Sequence, residues 1–182
     1  SQRACVYCGA RVVLNPITDA YHIVHGPIGC ASYTWDIRGS LTSDSEVFRN
    51  SFSTDLREQD IIFGGEKKLE GAIEEIVKTY KSELIFVYAT CVVGVIGDDI
   101  DAVCRNMSEK HGIKIIPVKS SGFAGNKSTG YKAACNAILD LVEDGDEPIV
   151  KSKTKVNYMG DFNLAGEIWI LTDYLKEIGL EV

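Results

Sequence analysis

Apolar residues recur along this chain in two rhythms. Over residues 66–81 they fall at three-and-four spacing (Leu69, Ile73, Ile76, Val77, Tyr80), which predicts an amphipathic helix. Residues 84–89, LIFVYA, form a continuous apolar run instead, the pattern of a strand covered on both faces in a parallel sheet. Residues 21–25 read as a short strand stopping at the Gly26-Pro27 turn, with a helix starting over 28–34. The polar, aperiodic stretch 36–51 predicts a loop. Beyond Cys91, a glycine-rich turn at 94–97 leads into a helix that runs to about His111-Gly112, with Asp98 and Asp99 in its first turn, where carboxylates complement the dipole. Strands over 113–118 and 155–159 and helices over 129–143 and 164–178 complete the pattern. Strands alternating with helices imply an α/β fold built on a parallel, doubly wound, Rossmann-like sheet.

The charged, turn-rich run EDGDEP at 143–148 is the best linker candidate and places a boundary near residue 150. Residues 1–150 then form a first α/β domain and 151–182 the start of a second, truncated one. A chain that lacks an initiator Met, and ends on GLEV like a strand just begun, is expected to be an excerpt of a longer protein.

A net charge of -7 gives no overall attraction to nucleic acid or to an anionic membrane, and neither is expected as a partner. No apolar stretch approaches the roughly 20 residues that span a bilayer, and the first ten residues lack the apolar core of a signal peptide, so a cytoplasmic location is expected. In a reducing compartment the six cysteines are core residues, redox groups or metal ligands rather than a disulfide framework.

Ligands of open α/β sheets gather beyond the carboxyl ends of the strands, and Cys30 and Cys91 both follow predicted strands. Cys5 and Cys8 precede the first clear element and are free to approach the same edge. Soft thiolates suit iron-sulfur clusters, copper(I) or zinc. The Cys5/Cys8 spacing matches half a zinc site, but no second CxxC or Cys/His pair completes it. For Cys30 and Cys91, spacing alone leaves ligand and core readings even. Cys104, with Ile100, Val103 and Met107, and Cys135, with Tyr131, Ile138 and Val142, are expected on buried helical faces. Residues 122–129, GFAGNKST, imitate a phosphate loop but fail its GxxxxGK[ST] spacing because Asn126 intervenes, although a helix start with Lys127 nearby could hold another anion. His22 and His25 are read as hydrogen-bonded imidazoles that fix a turn, and His111 as a helix-terminal residue. No GxSxG or distinctive acidic pair supports hydrolase chemistry.

Several segments, taken in order, resemble one family. RACVYCG at 3–9, HGPIGC at 25–30, FSTD at 52–55, IFGGEKKL at 62–69 and CVVGVIGDD at 91–99 look like the alpha and E subunits of nitrogenase component 1, and VNYMGDFN at 156–163 is similar to the start of the family's second domain. The resemblance implies that Cys5, Cys30 and Cys91, together with cysteine from a homologous N subunit, hold a shared 4Fe-4S-type iron-sulfur cluster. Cys8 lies at no family ligand position. Residues 122–132 carry none of the imidazoles of the catalytic alpha subunits, and WDIRGS at 35–40 looks like the assembly subunits. The chain is therefore expected to be a scaffold that receives an iron-molybdenum cofactor precursor from the donor B protein and also works with the nitrogenase iron protein. Arg38 and Lys127 match positions near the family's cofactor site and could offset the charge of that precursor. The alternatives are a catalytic alpha subunit of nitrogenase or a related reductase, and an α/β module binding a nucleotide or other anion at 122–129.

Overall fold

A computed structural model describes residues 4–17, 19–38, 50–142, 153–158 and 167–182, without the side chains of 35–38 and 167–168. Four strands, β1 (Tyr21–His25), β2 (Ser51–Ser53), β3 (Leu84–Ala89) and β4 (Lys114–Val118), form a sheet in the order β2-β1-β3-β4. Every pairing is parallel, with His22 opposite Ser51, Val24 opposite Tyr88, and Tyr88 opposite Val118. The helices are α1 (Val6–Leu14), α2 (Ile28–Arg38), α3 (Glu58–Phe63), α4 (Glu66–Tyr80), α5 (Cys91–Ile96), α6 (Ile100–His111), α7 (Lys127–Leu139) and α8 (Glu167–Glu177). A 3-10 turn, Gly122–Ala124, links β4 to α7. Among the described residues, no helix is long and apolar enough to cross a membrane.

The period-two pleat divides each strand between two cores. Val24, Phe86, Tyr88, Ile116 and Val118 meet Tyr7, Ala10 and Leu14 of α1, Ala31 of α2, and Ala134 and Ala137 of α7. On the opposite face Ile23, Ile85, Val87, Ala89 and Ile115 meet Leu69, Ile73 and Ile76 of α4 and Ile100, Val103, Cys104 and Met107 of α6. Helices on both faces explain why β3 carries no polar position. Pro117, which could not donate within a central strand, sits on the edge strand β4.

The three-and-four pattern of α4 and the cap signals of α6 are realised: Lys81 and Gly112 close these helices in the left-handed conformation. Other expectations need correction. The helix expected over 28–34 continues to Arg38, so the start of the expected 36–51 loop is helical, its last residue opens β2, and residues 39–49 lie outside the described set. The expected glycine-rich turn at 94–97 is mostly helix α5, with Gly97 as its left-handed cap. Asp99 is the N-cap of α6, accepting from Ala102 N, whereas Asp98 turns away from that helix. The helix expected over 129–143 starts earlier, at Lys127, and ends at Leu139.

Helix α1, all nine of whose residues are buried, was not legible as an element because Arg11 is its one charged position, and a single polar residue does not define a face. It crosses α7 in backbone contact. A Cβ on Gly9 would lie 2.1 Å from Lys127 O, and one on Gly130 would lie 2.0 Å from Val6 O. The buried stripe of α7 is accordingly Gly130, Ala134 and Ala137. Cys135 is exposed, which corrects the core position expected for it: the close crossing is made by the glycine and alanines, with Tyr131 and Ile138 packing at its margin. Cys104 is wholly buried, as expected, and burial pushes its thiol up to about 12. Cys104→Ala is expected to lower stability by about 1 kcal/mol in denaturant titrations, the cost of a small cavity.

The strand expected over 155–159 is, among the described residues, a single parallel bridge between Lys155 and Glu181, flanked by Val156 N to Glu181 O and Glu181 N to Thr154 O bonds of 2.8 Å. On α8, Leu171 is exposed and Leu175 half-buried, while Ile178 beyond its end and Trp169, Ile170 and Tyr174 are exposed. The side chain of Ile168 and the expected linker at 143–148 lie outside the described residues.

Candidate metal centre

From β1 the chain steps outward to β2 through α2, then returns past β1 to place β3 on its other side. The strand order therefore reverses between β1 and β3, and the carboxyl ends of these two strands diverge into a crevice. Cys30 lies in the first turn of α2, beyond β1, and Cys91 is the first residue of α5, beyond β3. Cys5 enters from the other direction as the N-cap of α1, which α7 holds over the sheet.

Gly122, four residues past β4, is approached by Cys91 through its sulfur and by Cys5 through its Cβ. Its N–H donates to Cys91 Sγ at 3.2 Å, and a Cβ there would stand 2.7 Å from that sulfur and 3.7 Å from Cys5 Cβ. Cys30 is close enough to feel both. Burial raises its thiol pKa first, and negative charge on Cys91 and Cys5 raises it further. Cys5 is shifted in the opposite direction, to about 6, chiefly by the hydrogen bond its sulfur shares with the Cys8 sulfur 3.5 Å away, with burial opposing. Cys5 is exposed, and Cys30 and Cys91 are half-buried.

Neighbouring loops are tied by a buried polar network. His25, at the end of β1, accepts from Thr54 Oγ1 at Nδ1 (3.0 Å) and donates from Nε2 to Asp98 Oδ2 (3.1 Å). Thr54 Oγ1 also receives Gly26 N–H, and Asp98 receives Gly65 N–H. Burial lowers the His25 pKa despite the adjoining carboxylate, so the imidazole is neutral and both hydrogen bonds keep their direction. A Cβ on Gly65 would lie 2.7 Å from Asp98 Oδ2, and one on Gly26 2.1 Å from Thr90 Oγ1, so the HGP and GGE motifs mark contacts that only glycine admits. His22 is likewise structural, sharing hydrogen bonds with Tyr88 OH (2.8 Å) and Ile17 O (3.3 Å).

Negative charge on Cys5 or Cys91 disfavours ionisation of Cys30, and a cationic metal core would relieve that repulsion. Among the described residues no three His, Cys, Asp or Glu side chains are placed to hold one metal ion. A polynuclear cluster differs in its demands from a single ion, since each of its irons takes its own cysteine. Among the described residues, two buried hydroxyls, Thr90 Oγ1 and Ser121 Oγ, have no hydrogen-bond partner, and each belongs to the residue preceding Cys91 or Gly122. They would be satisfied as donors to the anionic sulfur of such a group. Ile28, Val95 and Phe123, each within a few residues of Cys30, Cys91 or Gly122, expose apolar side chains.

Arg38 ends α2, with its side chain outside the described residues. Lys127 opens α7, its Nζ 5.5 Å from the Tyr131 ring centroid. Asn126 Oδ1 accepts from Ser128 N and Thr129 N, so the first amides of α7 are occupied by a capping box. That removes the donors a nucleotide phosphate would need. Gly122 had been visible only as part of this phosphate-loop imitation. Its position soon after a strand was the signal for its place beside the cysteines.

Comparison with known proteins places these features in context. The sequence profile described as nitrogenase component 1 type oxidoreductase matches residues 5–182. The chain is 70% identical, over its whole length, to the nitrogenase iron-molybdenum cofactor biosynthesis protein NifE of Clostridium pasteurianum, of which it covers 40%, and 56% identical to that of Methanosarcina barkeri, of which it covers 41%. It thus spans about two fifths of the length of these curated relatives. A solved structure, nitrogenase Cp1 at pH 5, superposes on 99% of this chain and 38% of its own, with a TM-score of 0.87 and 38% sequence identity.

Proposed function

This chain belongs to the nitrogenase component 1 type oxidoreductase family, and on that premise we propose that it is the cluster-binding part of a scaffold for assembly of the nitrogenase iron-molybdenum cofactor. The observation that supports the proposal is that Cys91 Sγ and Cys5 Cβ both lie against Gly122, with Cys30 near enough for negative charge on either to act on it. These three residues would hold an iron-sulfur cluster of the 4Fe-4S type, and a homologous N subunit would complete its ligand set. The exposure of Cys5 and the apolar side chains of Ile28, Val95 and Phe123 support a shared, interfacial position. When bound, the cluster would supply electron storage and relay. The protein's own contribution is to fix the three sulfurs on rigid junctions and to offer the Gly122 amide and the Thr90 and Ser121 hydroxyls to the sulfur environment.

In the full-length protein the cargo would be the cofactor precursor, delivered by a B-type donor protein, with the nitrogenase iron protein as a further partner. Arg38 and Lys127 are the positions assigned to offset its negative charge. Residues 1–150 would be the cluster-binding domain and 151–182 the start of the next. The resemblance to NifE proteins favours assembly over catalysis, as does the absence of imidazole from residues 122–132.

Anaerobic reconstitution with iron and sulfide, in complex with the partner subunit, tests the ligand set. Cys5→Ser, Cys30→Ser and Cys91→Ser are each expected to weaken cluster retention roughly tenfold or more, read as iron content and charge-transfer absorption. Three variants that retain the parent's iron would remove the proposed ligands.

A further inference from the structure

We propose that Cys5 and Cys8 are a reversible disulfide pair, closed by thiol–disulfide exchange with a low-molecular-weight disulfide, which withdraws Cys5 from the ligand set while no cluster is bound. Only the withdrawal rests on the function proposed above; the pair itself rests on geometry. The two sulfurs are 3.5 Å apart, within a side-chain rotation of bonding. Their surroundings divide the labour of exchange. Cys5 is exposed and can meet a small disulfide, whereas Cys8 is 4% exposed, packed in the core with Tyr7 and Ala10, and reachable only from within the chain.

The backbone permits closure. Cys5 is the N-cap, with φ -74 and ψ 174, so it stands in extended conformation ahead of the helix, and its side chain makes no capping hydrogen bond that a disulfide would forfeit. Cys8 is held in place by the buried helix that follows.

The exchange balances without a further reactant. Cys5 sulfur attacks one sulfur of the small disulfide, forming a mixed disulfide and releasing one small thiolate. Cys8 loses its proton and attacks Cys5 sulfur, releasing the second. Two cysteine S–H bonds become one S–S bond, and the small disulfide is reduced to two thiols. With a cluster bound, Cys5 sulfur is committed to iron and the exchange has no entry, so the pair closes only in the empty protein.

Trypsin isolates both residues in one peptide, 4–11 (ACVYCGAR), cut after Arg3 and Arg11. Full-length protein, purified anaerobically and stripped of iron by a chelator, is equilibrated in buffers of graded reduced and oxidised glutathione, alkylated and digested. Peptide 4–11 is expected to pass from a doubly alkylated form to an unalkylated form lighter by two hydrogens, and to return on treatment with dithiothreitol. Cys8→Ser and the core-preserving Cys8→Ala are both expected to stop at glutathione bound to Cys5. Oxidised parent protein is expected to lose uptake of iron and sulfide until reduced. Peptide that stays doubly alkylated throughout, or that keeps glutathione on Cys5 beside an alkylated Cys8, would overturn the pair. Undiminished uptake by the disulfide form would overturn the withdrawal. Failure of the fully reduced protein to load counts against the cluster ligands alone, because the peptide masses decide the pair separately.

Discussion

Gly130→Ala is expected to destabilise the protein by about 3 kcal/mol, because the added methyl has nowhere to go. A Cβ at this position would stand 2.0 Å from Val6 O, 2.8 Å from Ala10 N and 2.9 Å from Gly9 Cα. All three are backbone atoms of α1, so no side-chain rotation relieves the contact and the two helices must separate. Separation opens the core that Tyr7, Leu14, Ala134 and Ala137 share with β3 and β4. It also shifts the start of α1, where Cys5 sits, relative to Gly122 and Cys91. The variant should therefore lose cluster retention as well as stability, although it removes no sulfur. Gly71→Ala is the matched control: it lies inside α4, and its Cβ would meet nothing within 4 Å. That change should be neutral or stabilising by up to about 1 kcal/mol, as expected for an unobstructed helical glycine. Equal denaturation midpoints for the two variants would show that the α1–α7 contact does not constrain the fold.

Acidification below neutrality is expected to cost about 3 kcal/mol of stability by roughly pH 4.5, before most carboxylates titrate. His22 is the main cause. Burial, with the Arg11 guanidinium adding repulsion, lowers its pKa from 6.5 to about 3. In the unfolded chain the same imidazole takes up its proton near 6.5, so between these values the unfolded state binds more protons and is favoured as pH falls. His25 is lowered by burial as well and acts in the same direction. Asp60 and Glu74, whose pKa values are lowered by hydrogen bonds from Lys68 and Lys110, add their losses only at lower pH, as their carboxylates protonate. Urea titrations from pH 7 to 4.5 should show the decline, and His22→Phe should flatten it while lowering stability at pH 7. An unchanged slope in that variant would place the acid sensitivity elsewhere.

The sheet and its helices were legible where one face of an element meets water or where both faces are apolar. β1 and β3 lie where the sequence places them, and α4 and α6 differ from expectation only at their ends. Helix α1 left no trace because one charged residue, Arg11, gives too little contrast for periodicity to show. β2 is too short to show alternation, and its pairing with β1 depends on the route α2 takes. α7 was found with its inward face partly right: Tyr131 and Ile138 pack against the core, whereas Cys135 and Val142 are exposed and the close crossing is made by Gly130, Ala134 and Ala137.

The candidate site divides in the same way. Strand-end placement directs attention to Cys30 and Cys91, and the spacing of Cys5 and Cys8 raises metal or redox chemistry, because these follow from residue type and local order. That Cys5 faces Cys91 across Gly122 and that Asp98 serves His25 and Gly65 rather than its own helix were decided only by tertiary structure. Each of these relations joins segments through backbone approach or burial. A sequence states which groups a chain carries and how neighbours alternate, whereas the distance between groups on different elements is fixed by how closely those elements pack, and here by where a missing Cβ lets them touch.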